Sequence, residues 1–209
     1  MAYLIVDTST DYCILAIGEK GKLLTSEIKL HANLLSKFLF LSIQNLLNTS
    51  SLDFQQLEAV CLGIGPGSYT GTRVGAAAAK SLAFGLGIPL VPFCSLKAFL
   101  PFSFDTCFLI KEAKNGTAFV LKAEYLNQNF QFFFFPHHPL TSIQALIPEN
   151  VSFISFDKAL LKKHLSKEPN DPIPNVSPLA QICYKKLLEF SSESPEEILI
   201  NYLHTPSTL

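Results

Sequence analysis

The chain has 209 residues, enough for one large domain or two small ones, with a formal net charge of −1 and a pI near 6.5. No Lys/Arg cluster is longer than a pair, which disfavours direct, tight binding to nucleic acid through its phosphates. Hydrophobic residues make up 48% and mean hydropathy is +0.30, yet no 18-residue apolar run lacks a charge or proline, so the surplus apolar surface points to a protein partner and not to a membrane span.

Met1 to Asp7 lacks a basic stretch, and Asp7 interrupts the apolar run, which argues against a signal peptide. Tyr3 to Val6, Cys13 to Ile17 and Leu23 to Ile28 read as three strands. Their short connections, Asp7 to Asp11 and Gly18 to Gly21, suit antiparallel hairpins. At the first turn, Asp7-Thr8-Ser9-Thr10 can hold a phosphate or a metal-bound water, or can form a local Asx-turn.

A helix is predicted from about His31 to Asn48. On a wheel of about 100° per residue, Leu34, Leu35, Phe38, Leu39, Phe40, Leu41, Ile43, Leu46 and Leu47 spread over most of the circumference. Asn33, Lys37, Gln44 and Asn48 leave one narrow polar stripe, so this helix reads as burying two faces.

The apolar run Ala59 to Ile64 reads as a buried strand. It leads into Gly65-Pro66-Gly67-Ser68-Tyr69-Thr70-Gly71-Thr72-Arg73-Val74-Gly75 and then a helix to about Leu86. A glycine-rich turn between strand and helix can aim backbone N–H groups and the positive helix end at an anion, with Ser68, Thr70, Thr72 and Arg73 as further donors. It is not a Walker loop, because no Gly-Lys-Ser/Thr closes it, nor a dinucleotide fingerprint, because Thr70 stands where a third glycine is needed. A tight turn with a good N-cap is the alternative. Within the helix, Gly71, Gly75, Ala79 and Ala83 recur every four residues and make a shallow groove that lets another helix approach closely. Either the two helices pack on the sheet and on each other, or they meet a second chain.

A strand at Ile88 to Pro92 and a short helix capped by Ser95 follow. Cys107 to Ile110, Gly116 to Ala123 and Phe130 to Phe135 read as strands, the last apolar on both faces and so expected to be covered. Leu140 to Ile147, Asp157 to Lys167 and Pro178 to Phe190 read as helices, the last with Ser177 as N-cap. The fold class is therefore α/β with mixed sheets, in two lobes, 1–104 and 105–209.

Chemistry is sparse. Cys13, Cys61, Cys94, Cys107 and Cys183 are odd in number and lack Cys-x-x-Cys spacing, as expected of reduced, buried thiols in a cytosolic protein. His137 and His138 point apart on an extended chain, and His164 and His204 have no metal-spaced partner, so no metal site is expected. No nucleophile–base pair stands out.

The eleven-residue loop resembles the signature of the TsaB (YeaZ) family, and Asp7-Thr8-Ser9, Cys13 to Ile17 and His31-Ala32-x-Leu34-Leu35 fit it in position. The likeness is strong over residues 1–100. Beyond them it departs: Glu112-Ala113-Lys114, Thr117-Ala118-Phe119 and Ile200-Asn201-Tyr202-Leu203-His204 replace the family's patterns. The resemblance implies an actin/sugar-kinase-like (ASKHA) fold of two lobes, the second reduced, in a cytoplasmic protein. It implies a non-catalytic role, without cofactor, in forming threonylcarbamoyladenosine next to the tRNA anticodon. The implied partners are the paralogue TsaD, the ATPase TsaE in a larger complex, a second copy of the chain in isolation, and tRNA only indirectly. Asp7, Thr8, Ser9, Ser68, Thr70, Thr72 and Arg73 are then candidates for nucleotide or anion contact, and His31, Leu35, Phe38, Gly71, Gly75, Ala76, Ala79 and Ala83 for the interface. The competing reading is an ATP-dependent small-molecule kinase of the same superfamily. Such a kinase needs a second phosphate loop, and no glycine pair follows residue 106.

Overall fold

β1 (Ala2–Asp7) is buried along its whole length, as an apolar strand must be when other strands flank it and helices cover it. In the computed structural model, which describes residues 1–30, 35–157, 161 and 163–189, it is the centre of a five-stranded sheet. β2 (Tyr12–Glu19) pairs antiparallel with β1, and β3 (Lys22–Leu30) antiparallel with β2. β4 (Leu57–Gly63) lies parallel to β1 on its other side, and β5 (Leu90–Phe93) parallel to β4. The order β3-β2-β1-β4-β5 is the mixed sheet expected from three hairpin strands followed by helical crossovers.

Strand alternation divides the burial between two faces. Leu4, Val6, Leu15 and Ile17 meet Leu39, Ile43, Leu46 and Leu47 of α1 (Leu35–Thr49) and Ala76, Ala79 and Ala83 of α2 (Tyr69–Leu86) in one core. On the opposite face, Tyr3 donates its hydroxyl to the Ala180 carbonyl at 2.8 Å and stacks with Tyr184 at 6.2 Å. Gly18, opposite Tyr3 in the ladder, makes room for that ring.

The chain divides into two units. The first holds Met1–Ala98 together with the helix Val176–Glu189, and the second begins at Phe99. The sequence places the division at 104/105 and gives that helix to the second lobe; it packs instead against β2, β3 and β5, and its Ala180 and Tyr184 meet Tyr3 of β1. The helix starts at Val176, so Ser177 and Pro178 stand inside the first turn and not at the cap, where Pro is tolerated. Buried Asn175, just before it, donates to the Leu100 carbonyl at 3.0 Å.

The second unit is a four-stranded sheet of order β8-β7-β6-β9, built from β6 (Thr106–Ala113), β7 (Thr117–Leu126), β8 (Asn129–Pro139) and β9 (Ser152–Ser155). β9, unforeseen in the sequence, pairs parallel with β6. Phe108, Ile110, Val120 and Phe153 pack against Leu140 and Ile143, the latter opening α3 (Ile143–Leu146). α4 is the helix Val176–Glu189. Two expectations change here. The run 130–135 forms an edge strand and is only half-covered. The helix expected over 157–167 is not sustained: residues 163–164 form a turn and 166–167 a bend, while 158–160 and 162 lie outside the described residues. Among the described residues no helix is long and apolar enough to cross a membrane.

Candidate functional site around the glycine-rich loop

The loop takes its shape from the segment that follows β1. Asp7, Thr8, Ser9 and Thr10 are all buried. Asp7 Oδ1 accepts from the Ser9 amide at 2.8 Å, the Asx-turn of the two readings. A β-carbon at Gly63 would collide with the Asp7 carboxyl, one at Gly67 with the Ser9 carbonyl, one at Gly71 with the Thr8 carbonyl, and one at Gly75 with Thr8 Oγ1. Four glycines are thus required by one neighbouring segment, through close approach and not through unusual backbone angles.

Hydrogen bonds close the arrangement. The Ser68 amide donates to the Ser9 carbonyl, and Thr8 Oγ1 donates to the Gly71 carbonyl at 2.6 Å. Ser68 caps α2: its Oγ accepts from the Gly71 amide at 3.3 Å, and Thr72 Oγ1 donates to the Ser68 carbonyl at 2.6 Å. Ser95, expected to cap a short helix, instead clasps Gly65. Its Oγ accepts from the Gly65 amide at 2.9 Å and its own amide donates to the Gly65 carbonyl at 2.8 Å. The peptide bond between Gly65 and Pro66 is cis.

An anion cradle needs N–H groups aimed outward. Here the amides of Ser9, Gly65, Ser68, Gly71 and Thr72 all donate within the chain. The candidate contact residues also separate by burial. Asp7, Thr8, Ser9 and Thr72 lie inside, whereas Ser68, Thr70 and Arg73 are exposed, with the Arg73 guanidinium 4.0 Å from the Tyr69 ring centroid. The buried Ser9 hydroxyl has no hydrogen-bond partner among the described residues.

The interface candidates also fall into two groups. Gly71 and Gly75 are covered by Thr8, while Ala76, Ala79 and Ala83 are buried in the core of the first unit, so the small-residue groove is filled from within the chain. α1 buries one stripe, Leu39, Ile43, Leu46 and Leu47, and not two faces. Phe38, Phe40 and Leu41 on α1, and Tyr69 and Phe84 on α2, are exposed, Phe84 by 78%. Phe84 and Tyr69 were not singled out in the sequence, although α2's outward stripe of Arg73, Ala77, Ser81 and Phe84 is legible at helical spacing once the small row faces inward. His31 and the side chain of Leu35 lie outside the described residues.

Around the loop the titratable groups are shielded. Burial pushes the Cys94 thiol up to about 11 and holds the Lys97 amine below its ordinary value. Burial also raises Cys183, helped by a hydrogen bond with Cys61. All five cysteines are free thiols. Among the described residues no group of three or more His, Cys, Asp or Glu is placed to hold a metal ion. A cavity of about 270 Å³ in the second unit, lined by Gln144, Glu149, Phe153 and Lys167, contains none of the candidate residues.

Residues 29–131 match the family model of TsaD, tRNA N6-adenosine threonylcarbamoyltransferase. The chain is 35% identical over 123 residues to the tRNA threonylcarbamoyladenosine biosynthesis protein TsaB of Haemophilus influenzae, covering 56% of this chain and 48% of that one. It is 30% identical over 96 residues to TsaB of Escherichia coli, covering 46% and 41%. The aligned part thus spans about half the length of these curated relatives. YeaZ from Pseudomonas aeruginosa superposes with a TM-score of 0.79 at 18% identity, covering 96% of this chain and 99% of that one. A second Pseudomonas aeruginosa structure, described as similar to peptidase YeaZ, gives 0.78 at 17% identity, covering 97% and 99%. Two mixed sheets with flanking helices make the α/β fold that the sequence predicts, and the YeaZ structures share it. By its eleven-residue loop and these likenesses the chain is similar to the TsaB (YeaZ) proteins, and it shares the fold of the YeaZ structures.

Proposed function

We propose that this chain is a non-catalytic partner subunit in the formation of threonylcarbamoyladenosine next to the tRNA anticodon, docking on a TsaD-type transferase through the outward faces of α1 and α2. The names of its relatives support the pathway. The glycine loop, in which the amides of Gly65, Ser68, Gly71 and Thr72 donate within the chain, supports the non-catalytic part. Phe38, Leu41 and Phe84, large apolar side chains on the surface of two adjacent helices, support docking by a partner that covers them. Phe38 and Leu41 are one turn apart and share a face.

The test is co-purification with the cognate transferase. The wild-type chain is expected to bind, and Phe38→Asp with Phe84→Asp to abolish binding while melting temperature stays unchanged. ATP turnover by the isolated chain, lost in Asp7→Ala, would overturn the reading in favour of the kinase.

A further inference from the structure

The 270 Å³ cavity of the second unit lies where α3 and the turn after it meet β9 and residues 165–167. Its apolar wall is made by Ile147, Phe153 and Leu165, all buried members of that unit's core. Its polar wall is held in place by the chain itself. Gln144 Oε1 accepts from the Ser166 amide at 3.0 Å and from Ser166 Oγ at 3.4 Å. A backbone N–H can only donate, so the carboxamide turns its oxygen to Ser166. The two N–H donors of the same group are left without an acceptor among the described residues.

The charges of the cavity are also unspent. The turn into β9 is closed by the Val151 amide, which donates to the Pro148 carbonyl at 3.1 Å. Over this turn the Lys167 ammonium donates to the carbonyls of Glu149 and Val151 at 3.5 and 3.4 Å. Both bonds are long, and an ammonium has a third donor. Glu149 lines the same cavity, yet among the described residues neither Glu149 nor Lys167 is in an ion pair.

We propose that this cavity binds a free aliphatic α-amino acid. A cation, an anion and an apolar wall around one small space complement a molecule that carries a carboxylate, an ammonium and a hydrocarbon side chain on one carbon. The carboxylate takes the third Lys167 donor and the Gln144 amide, in charge-assisted bonds that are roughly twice as strong as neutral ones. The ammonium faces Glu149, and the side chain lies on Ile147, Phe153 and Leu165. A carboxylate alone would bring like charge to Glu149, and an amine alone would bring it to Lys167, so either half by itself is opposed. The volume agrees, for it falls below the ~300–1,000 Å³ of sites that hold drug-sized ligands. All these residues belong to the second unit, so the site is separate from the helix face assigned above to a transferase.

Titration calorimetry of the purified full chain tests it, with L-leucine, L-isoleucine and L-valine as probes. At least one is expected to give saturable heat with a dissociation constant below about 1 mM. For the best of them, the matching acid without the amino group and the matching amine without the carboxylate should each bind at least tenfold more weakly, as should glycine, which lacks the side chain. Lys167→Met and Glu149→Gln should each weaken binding at least tenfold. Both positions are exposed, so the unligated melting temperature should not move, and either variant alone suffices where the other fails to fold. Lys114→Met, a charge removed from the β6–β7 turn of the same unit, should bind as the wild type does. Saturable binding by none of the three amino acids, equal affinity for the acid without the amino group, or unchanged affinity in a folded Lys167→Met or Glu149→Gln chain would each overturn the proposal.

Discussion

Thr8 fills the space that a side chain at Gly75 would need. Its Oγ1 stands where the β-carbon would collide, while its own Cβ lies 3.6 Å away, at ordinary contact. Gly71 meets the same residue differently, through the Thr8 backbone carbonyl. The two glycines therefore differ in what can relieve them. Gly75→Ala is expected to destabilise by about 1–3 kcal/mol through overpacking. Thr8→Ala in the same chain should recover much of that loss. Gly71→Ala should cost at least as much and not be rescued, because the carbonyl stays. Chemical denaturation of the four single and double variants reads this. Equal losses at position 75 in both backgrounds would show that Oγ1 is not the obstacle.

Ala79 separates an internal groove from an intermolecular one. It is fully buried against the first unit's core, whereas Ala77 is exposed on the same helix. Ala79→Arg forces a cation into a packed apolar site and is expected to cost more than about 4 kcal/mol, at the severe end for single substitutions. Ala77→Arg should stay within about 0.5 kcal/mol of wild type. Thermal melts decide it. A folded, stable Ala79→Arg chain would mean that the small-residue row faces outward after all.

What was legible in the sequence were features set by near neighbours. The two hairpins follow from alternating runs with short turns, and Ser68 as the cap of α2 follows from a hydroxyl before a helical run. What was not legible depends on residues far apart. The row Gly71, Gly75, Ala79 and Ala83 announces a close neighbour, but periodicity does not say that the neighbour is Thr8, more than sixty positions earlier. Ser95 has the residue type of a cap, and only the return of the chain after β5 brings it to Gly65. β9 is four residues long, too short for a period, and is fixed by its partner β6. The aromatic run at 130–135 is apolar on both faces, which looks the same for a covered strand and for an edge.

Stability should fall above pH 9, and Cys107 should account for a defined share. Burial raises its thiol from an ordinary value near 9 to about 12. The unfolded chain then loses its proton first, so the thiol's contribution is fully present below pH 9 and is lost as pH rises towards 12. Over that window the slope is up to about 1.4 kcal/mol per pH unit for one such group. Cys107→Ala should be less stable at pH 8, through the lost buried sulfur, but should decline less steeply between pH 9 and 11. Parallel declines of the two proteins in urea titrations would contradict the shift.

Ser95 and Ser9, both fully buried beside the loop, should respond to alanine with opposite sign. Ser95 Oγ accepts the Gly65 amide, so Ser95→Ala leaves that buried N–H without its acceptor, a loss of about 1–3 kcal/mol. The Ser9 hydroxyl has no partner among the described residues, so its desolvation is uncompensated. Ser9→Ala removes the unsatisfied group and leaves in place the bond from the Ser9 amide to Asp7 Oδ1 and that from the Ser68 amide to the Ser9 carbonyl, since neither uses the Ser9 side chain. It is expected to be neutral or stabilising by up to about 1 kcal/mol. The same variant probes the closed loop, for a bound phosphate within reach of Ser9 would use that hydroxyl. Calorimetry with ATP is therefore expected to give the same result for wild type and Ser9→Ala. A stable Ser95→Ala chain would mean that the clasp on Gly65 contributes nothing. A destabilised Ser9→Ala chain, or one with altered heat on ATP addition, would mean that the hydroxyl is engaged and the loop is open to a ligand.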